Sequence, residues 1–251
     1  MIGGSLVSSQ LRARVSGWKR IRRWILLAIG SWAVLTVVPV LLLRWVPPIT
    51  SAFMLEARIE ASHVGGGRYH TDYHWVSLER ISPQAALAVI ASEDQTFPFN
   101  YGFDFHSIRS AVRSAERGKR LRGASTISQQ VARNLFLWPG RSFVRKGIEA
   151  YLTVLLETLW PKERILEVYL NVAQFGRGIY GVEAAARRFY HEPAARLTAS
   201  QAALLAAVLP NPVRRHVERP SRFVLWKQRW ILGQMRNLGG PAYLEEVKQR
   251  Q

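Results

Sequence analysis

Ser142 to Asn171 reads SFVRKGIEAYLTVLLETLWPKERILEVYLN, and this stretch decides the fold class. Val144, Ile148, Tyr151, Leu152, Leu155, Leu156 and Leu159 recur at three- and four-residue steps, the period of one helix face, with Ser142 placed as an N-cap. The run stops at Trp160-Pro161, where the proline ends one helix and opens another. Ile165, Leu166, Tyr169 and Leu170 then mark a second apolar face. Outward from this pair the signals repeat. Ser82-Pro83 is an N-cap with proline at the first helical position, ahead of Ala86, Leu87, Val89 and Ile90, and this helix runs into Glu93 before Pro98. Thr198 with Gln201 forms a capping box before AALLAAVL, which Pro210 and Pro212 end. Ser221 to Asn237 reads as a last helix. Nothing alternates with period two for long enough to make a sizeable sheet. The expectation is a mainly α domain over residues 78–240, followed by a tail at 241–251.

The N-terminal part has a different character. The 251 residues carry 35 Lys plus Arg against 17 Asp plus Glu, a net +18, with 48% hydrophobic residues, which fits a chain that buries a core and excludes an acidic solvating tail. Arg12, Arg14, Lys19, Arg20, Arg22 and Arg23 precede the first acid, Glu56, so 18 minus 6 leaves +12 on the rest. Trp24 to Leu43, WILLAIGSWAVLTVVPVLLL, gives 20 uncharged residues, the length a helix needs to cross a bilayer core. A cleaved signal peptide has a shorter apolar region and a small-residue cleavage site, whereas Arg44, Trp45, Pro47 and Pro48 follow here. Residues 1–23 are therefore read as a basic cytoplasmic segment, 24–46 as a transmembrane anchor and 47–77, with Gly65 to Gly67, as an irregular connector. The positive-inside rule then places the domain outside the cytoplasm, on the periplasmic side of the inner membrane. Zero Cys excludes a disulfide scaffold, a Cys-ligated metal and a thiol nucleophile.

Three segments carry candidate chemistry. In SEDQTFPFNYGFD, Ser92 to Asp104, Glu93 and Asp94 stand at a helix C-terminus among Phe97, Phe99 and Phe103, where the dipole and desolvation raise a carboxylate pKa toward that of a general base. In RGASTISQQVARNLFL, Arg122 to Leu137, the polar residues Ser125, Thr126, Ser128, Gln129 and Gln130 suit a cleft that binds sugar or phosphate, with Arg133 one turn on. In RSFVRKGIEA, Glu149 follows Arg145 by four residues and Lys146 by three. Alone, each also reads as an ordinary solvated cap, a polar helix start or a surface ion-pair ladder.

Taken in order, SEDQTFPFNYGFD, RGASTISQQVARNLFL, RKGIE, KERILEVYLN and GVEAAARRFY resemble the five motifs of the peptidoglycan glycosyltransferases, the polymerising domain of bifunctional penicillin-binding proteins. The resemblance spans about Val76 to Asn237. It implies a lysozyme-like helical fold, a lipid II substrate joined to a growing lipid-linked glycan, and inversion at the anomeric carbon. By motif position, Glu93 matches the catalytic base and Glu149 the second, assisting glutamate. Ser125, Thr126, Gln129, Gln130, Arg133, Arg141, Arg145 and Lys146 match positions that line the cleft or meet the substrate's phosphates, while Lys162, Glu167 and Asn171 are expected to be architectural. The first motif usually has histidine where this chain has Asn100.

The chemistry accounts for these residue types independently. Glycosyl transfer from a lipid diphosphate needs one carboxylate to accept the proton of the attacking hydroxyl, and cations to stabilise charge on a leaving group that is already anionic. A hydrolase instead pairs its base or nucleophile with a protonated carboxylic acid. No organic cofactor is called for, and a divalent metal would find only Glu and Asp, an open magnesium- or manganese-like site. Arg109, Arg113, Arg117, Lys119, Arg120 and Arg122, mixed with Phe103, Phe105, Ile108 and Val112, read either as a surface resting on the anionic membrane or as a solvated basic face. Nucleic acid is disfavoured by the topology. His70 and His74 lack a third ligand nearby. Ser16-Gly17-Trp18-Lys19 matches S-x-x-K but lies before the anchor, and no K-T-G follows, so no transpeptidase is expected. Two rivals remain at this level, a lysozyme-like lytic enzyme and an inactive membrane-tethered adaptor. Cell-division or elongation proteins stay open as partners.

Overall fold

The computed structural model describes residues 4–63, 69–116, 125–140 and 142–249. The chain divides into two units, Met1–Trp45 and Val46–Gln251. The first is one helix, α1 (Gly4–Leu43). Its apolar part, Arg20–Leu43, has 24 residues, and at ~1.5 Å per residue its ~36 Å exceeds the ~30 Å hydrocarbon core. Trp24, Leu27, Trp32 and Leu35 are exposed along it. These features suggest a single-pass membrane anchor.

The second unit runs α2 (Ala52–His63), β1 (Asp72–Tyr73), α3 (Pro83–Glu93), α4 (Phe105–Glu116), α5 (Ile127–Phe136), α6 (Phe143–Leu159), α7 (Lys162–Val172), β2 (Gln174–Gly176), β3 (Ile179–Tyr180), α8 (Val182–Tyr190), α9 (Ala199–Val208), α10 (Arg222–Asn237) and α11 (Leu244–Lys248). The centre is set by composition. Residues 85–91 of α3 are all buried, as are Ala202, Ala203 and residues 205–208 of α9, so both helices are apolar on every side and pack against each other. α10 lies over both, and α5 packs against α6 and α7. The predicted caps are present: Ser82 accepts from Gln84 N and Ser142 from Arg145 N, and Thr198 with Gln201 completes a capping box; Ser221 also caps α10, accepting from Val224 N. The sheet is small, ordered β1-β3-β2, with β1 parallel and β2 antiparallel to β3.

α7 works as a clasp. Asn171 accepts from Val76 N at 2.9 Å and donates to Val76 O at 2.8 Å, reproducing a backbone bridge with one side chain. Glu167 accepts from Leu78 N at 3.1 Å and pairs with Arg164 at 2.6 Å, and Arg164 donates to Val46 O at 2.9 Å. The fourth motif thus ties down the chain that leads into α3, the architectural role expected of Glu167 and Asn171. Gly181, at φ +85°, closes the same corner, where a Cβ would stand 2.6 Å from Asn171 O.

Two segments are more ordered than their sequence predicts. The 47–77 connector contains α2, capped by Ser51, with Met54 buried, and β1; Gly65 to Gly67 lie outside the described residues. The 241–251 tail contains α11, whose Val247 is buried, and Tyr243 donates to Gln95 O at 2.7 Å. Both are too short, and too mixed in polarity, to show a helical period. They are ordered by tertiary docking, α2 on α5 and α11 on α3 and α7.

Candidate active site

Glu93 is the last residue of α3, half-buried at the edge of the core. Its Oε2 accepts from Gln130 Nε2 at 2.9 Å and its Oε1 from Ser92 Oγ at 3.2 Å. Gln130 in turn accepts from Tyr169 Oη at 3.4 Å, so a relay from α7 through α5 aims the carboxylate. Burial drives the Tyr169 hydroxyl well above its usual pKa; the Glu93 charge adds to this and Arg133 opposes it, which places both charges beside that ring. Arg133 also lies over the Phe53 ring at 5.9 Å. Glu93, Ser92 and Asp94 line a cleft of about 370 Å³ with Gln95, Thr96, Asp104, His106, Ser107, Ser125, Thr126 and Trp230.

Asp94, next in sequence, has a different task. It is buried, its backbone N–H closes α3 onto Ile90 O, and its carboxylate accepts from Asn100 Nδ2 at 2.8 and 3.1 Å, Thr96 Oγ1 at 3.3 Å and Ile127 N at 3.2 Å. Burial raises its pKa, and the Asn100 amide, the Ile127 N–H and the Lys162 charge hold it back. Held in this way, Asp94 staples the first motif to the start of α5. At the cleft's other side, burial would raise Asp104, but hydrogen bonds from Ser107 Oγ and N hold it below the ordinary carboxylate range.

Gly102 carries the first motif onto α6. It sits at φ +81°, and a Cβ there would meet Thr153 Cγ2 at 2.6 Å and Glu157 Cγ at 2.9 Å. Its carbonyl accepts from Thr126 Oγ1 at 2.7 Å. Glu149, Thr153 and Glu157 share one face of α6 at four-residue steps, so Glu149 stands one turn, about 6 Å, beyond the Gly102 contact. Glu149 is buried and ion-paired to both Lys146 and Arg145. Arg145 is itself buried, and among the described residues its Nε has no hydrogen-bond partner. A buried orphan guanidinium N–H is rare.

The predicted site residues thus divide by position. Glu93, Ser125 and Thr126 share the cleft, Gln130 and Arg133 stand behind Glu93, and Arg145, Lys146 and Glu149 form a cationic cluster on α6. Gln129 is buried in a capping box with Thr126, its Oε1 accepting from Thr126 N at 3.1 Å, so it holds the start of α5. Arg141 lies outside the described residues, as do Arg117, Lys119, Arg120 and Arg122 of the basic stretch; of the rest, Phe105, Ile108, Arg109 and Arg113 are exposed on α4. Sequence reasoning missed the buried Lys162–Glu157 pair, at 2.8 Å, and the cleft wall provided by Trp230. Neither has a local signal, since Glu157 and Trp230 fall inside ordinary helical patterns.

Residues 61–236 match the transglycosylase family model. The chain belongs to the transglycosylase family. Its relatives include the biosynthetic peptidoglycan transglycosylase of Cronobacter sakazakii, 51% identical over 239 residues, covering 95% of this chain and 99% of that one. The protein of the same name from Pectobacterium carotovorum is 51% identical over 239 residues, covering 94% and 96%, and that of Escherichia coli is 51% identical over 236 residues, covering 94% and 98%. As a transglycosylase the chain has the mainly α, lysozyme-like domain that the motif order implied, with one apolar helix ahead of it.

The described residues form no cation site of three protein ligands. Among the described residues no three His, Asp or Glu side chains converge, and the Asp94 carboxylate is already occupied by Asn100, Thr96 and Ile127. No catalytic step is assigned to a metal.

Proposed function

We propose that this transglycosylase polymerises lipid II into glycan strands, releasing the polyprenyl diphosphate, with Glu93 as the general base. The observation that carries the reading is the half-buried Glu93 carboxylate, aimed by Gln130 and Ser92 into a cleft. A sugar hydroxyl of the acceptor gives its proton to Glu93 while its oxygen attacks the donor's anomeric carbon from the face opposite the diphosphate, which inverts that centre. Arg133, Arg145 and Lys146 stabilise the charge on the departing diphosphate. Glu149 acts through its two ion pairs, holding Arg145 and Lys146 in place. The domain works at the periplasmic face of the inner membrane, α1 anchors it with its N-terminus in the cytoplasm, and the chain forms glycan without cross-linking it.

Incubation of the detergent-solubilised full chain with lipid II is expected to yield long glycan. Release of short saccharides from purified cell wall, with no polymer from lipid II, would favour the lytic rival. Orientation is tested separately: a reporter active only outside the cytoplasm, fused after Gln251, is expected to work, and a silent fusion would reverse the topology.

Asn100 gives a sharper test of the cleft. Its amide donates to both Asp94 oxygens, and its Oδ1 accepts from Gly102 N at 3.1 Å. Asn100→His keeps a donor and is expected to stay within a few-fold of the parent. Asn100→Ala removes the second-largest influence on Asp94, one that favours its anion. Activity should fall roughly tenfold, and the acid limb of the pH profile should move to higher pH. An unchanged profile in the Ala variant would reduce Asn100 to a turn residue.

A further inference from the structure

α10 presents a row of rings that the core does not use. Val224, Ile231 and Met235 are its buried residues, and they hold it on α9 and α3. Phe223, Trp226, Trp230 and Gln234 follow at steps of three, four and four, along one helix face about 16 Å long. Phe223 is 51% exposed, Trp226 52% and Trp230 36%. The rings are held in place: Phe223 and Trp226 have centroids 5.7 Å apart, Arg215 lies 4.9 Å over Phe223, and Lys227 Nζ lies 3.7 Å over Trp230.

The inner end of this row is the active-site cleft. Trp230 lines it with Glu93, and Gln234 Oε1 accepts from Gln95 Nε2, another lining residue, at 3.2 Å. The polar partners of the row are Arg215 and Lys227 on the rings and the Gln234 amide at its inner end. An aromatic face bounded by cations and an amide, leading to a cleft lined by the Ser107, Ser125 and Thr126 hydroxyls, suits a pyranose ring, which offers a flat C–H face and a rim of hydroxyls. A lipid surface also accepts Trp with Arg and Lys, but it would not require the row to lead into the cleft beside the base.

We propose that the Phe223–Trp226–Trp230 face of α10 is a stacking track that binds the sugar rings of the glycan strand as it passes the cleft. The proposal rests on the polymerising function above and adds to it a second contact for the polymer, outside the reacting sugars. A strand held there stays near the cleft between additions, so the track governs strand length.

The test uses the full chain in detergent carrying Glu93→Gln, so that a bound strand is not extended, titrated calorimetrically with lipid-free, peptide-free glycan strands from peptidoglycan. Replacing Trp226 and Trp230 by Leu keeps them apolar but removes the rings, and binding should weaken by roughly fivefold or more, whereas Phe at both sites should stay within about twofold. With Glu93 restored, the Leu pair should make shorter strands from lipid II. If the Leu pair does not fold, as its melting temperature will tell, the single Trp226→Leu at the exposed ring gives the same reading. Equal glycan binding by the Leu and Trp chains overturns the track, and so does no binding by the parent. Because binding is read without turnover, a chain that binds strands but makes none from lipid II would count against the proposed function and not against the track.

Discussion

Glu93→Gln is expected to abolish glycan polymerisation, by at least the ~10²–10⁴ range that a positioned base contributes, while the melting temperature and lipid II binding stay near those of the parent. Glutamine keeps the shape and can still meet the Gln130 amide and the Ser92 hydroxyl, so the cleft survives; what it loses is the capacity to take a proton. Gln130→Ala separates aim from chemistry. It leaves the carboxylate present but cuts its link to α5 and Tyr169, and a smaller loss is expected, on the order of tenfold. Both are read as polymer formed from lipid II by detergent-solubilised chain. Near-normal polymer from the Glu93 variant would move the base elsewhere, and Asp94 would not replace it readily, because Asn100, Thr96 and Ile127 already engage its oxygens.

The contrast between these adjacent acids shows what the sequence could and could not convey. Helix caps at Ser82, Ser142 and Thr198 are local chemistry, each bond spanning two or three residues, and all three are found where they were read. The motif order carried the family and the candidate base. It named Glu93 but gave Asp94 no task of its own, since that task depends on contacts from Asn100 and Ile127, six and thirty-three residues away. Gln129 and Gln130 make the same point. Side by side in a polar run, one closes a capping box and the other aims the base, because successive residues on a helix point about 100° apart. Gln129 at N3 after Thr126 was a legible box that a cleft reading passed over. α2 and α11 were hidden for another reason: their order comes from docking, which no short mixed segment advertises.

The fourth motif supplies the largest expected effect on stability. Lys162 opens α7, is buried, and reaches Glu157 at 2.8 Å, the Asn100 carbonyl at 2.5 Å and the Phe97 ring at 4.7 Å. Burial lowers its pKa, and the Glu157 carboxylate pulls it back up. Ser128 donates to the same carboxylate, so one ion pair joins α5, α6, α7 and the first-motif turn. Lys162→Met preserves length and apolar stem but strands Glu157 inside the protein, which costs roughly 3–5 kcal/mol. For a domain of this size that is a fall in melting temperature on the order of 10 °C. Protonation relieves a stranded acid, so the deficit should be smaller at about pH 5 than at about pH 8. Adding Glu157→Gln removes the buried charge and should recover most of the stability, yet activity should recover less, because the Asn100 carbonyl still lacks its ammonium and the turn holding Asp94 stays loose. If Lys162→Met melts with the parent at both pH values, the pair does not bear on stability and the fourth motif would have to act through Glu167 and Asn171 alone.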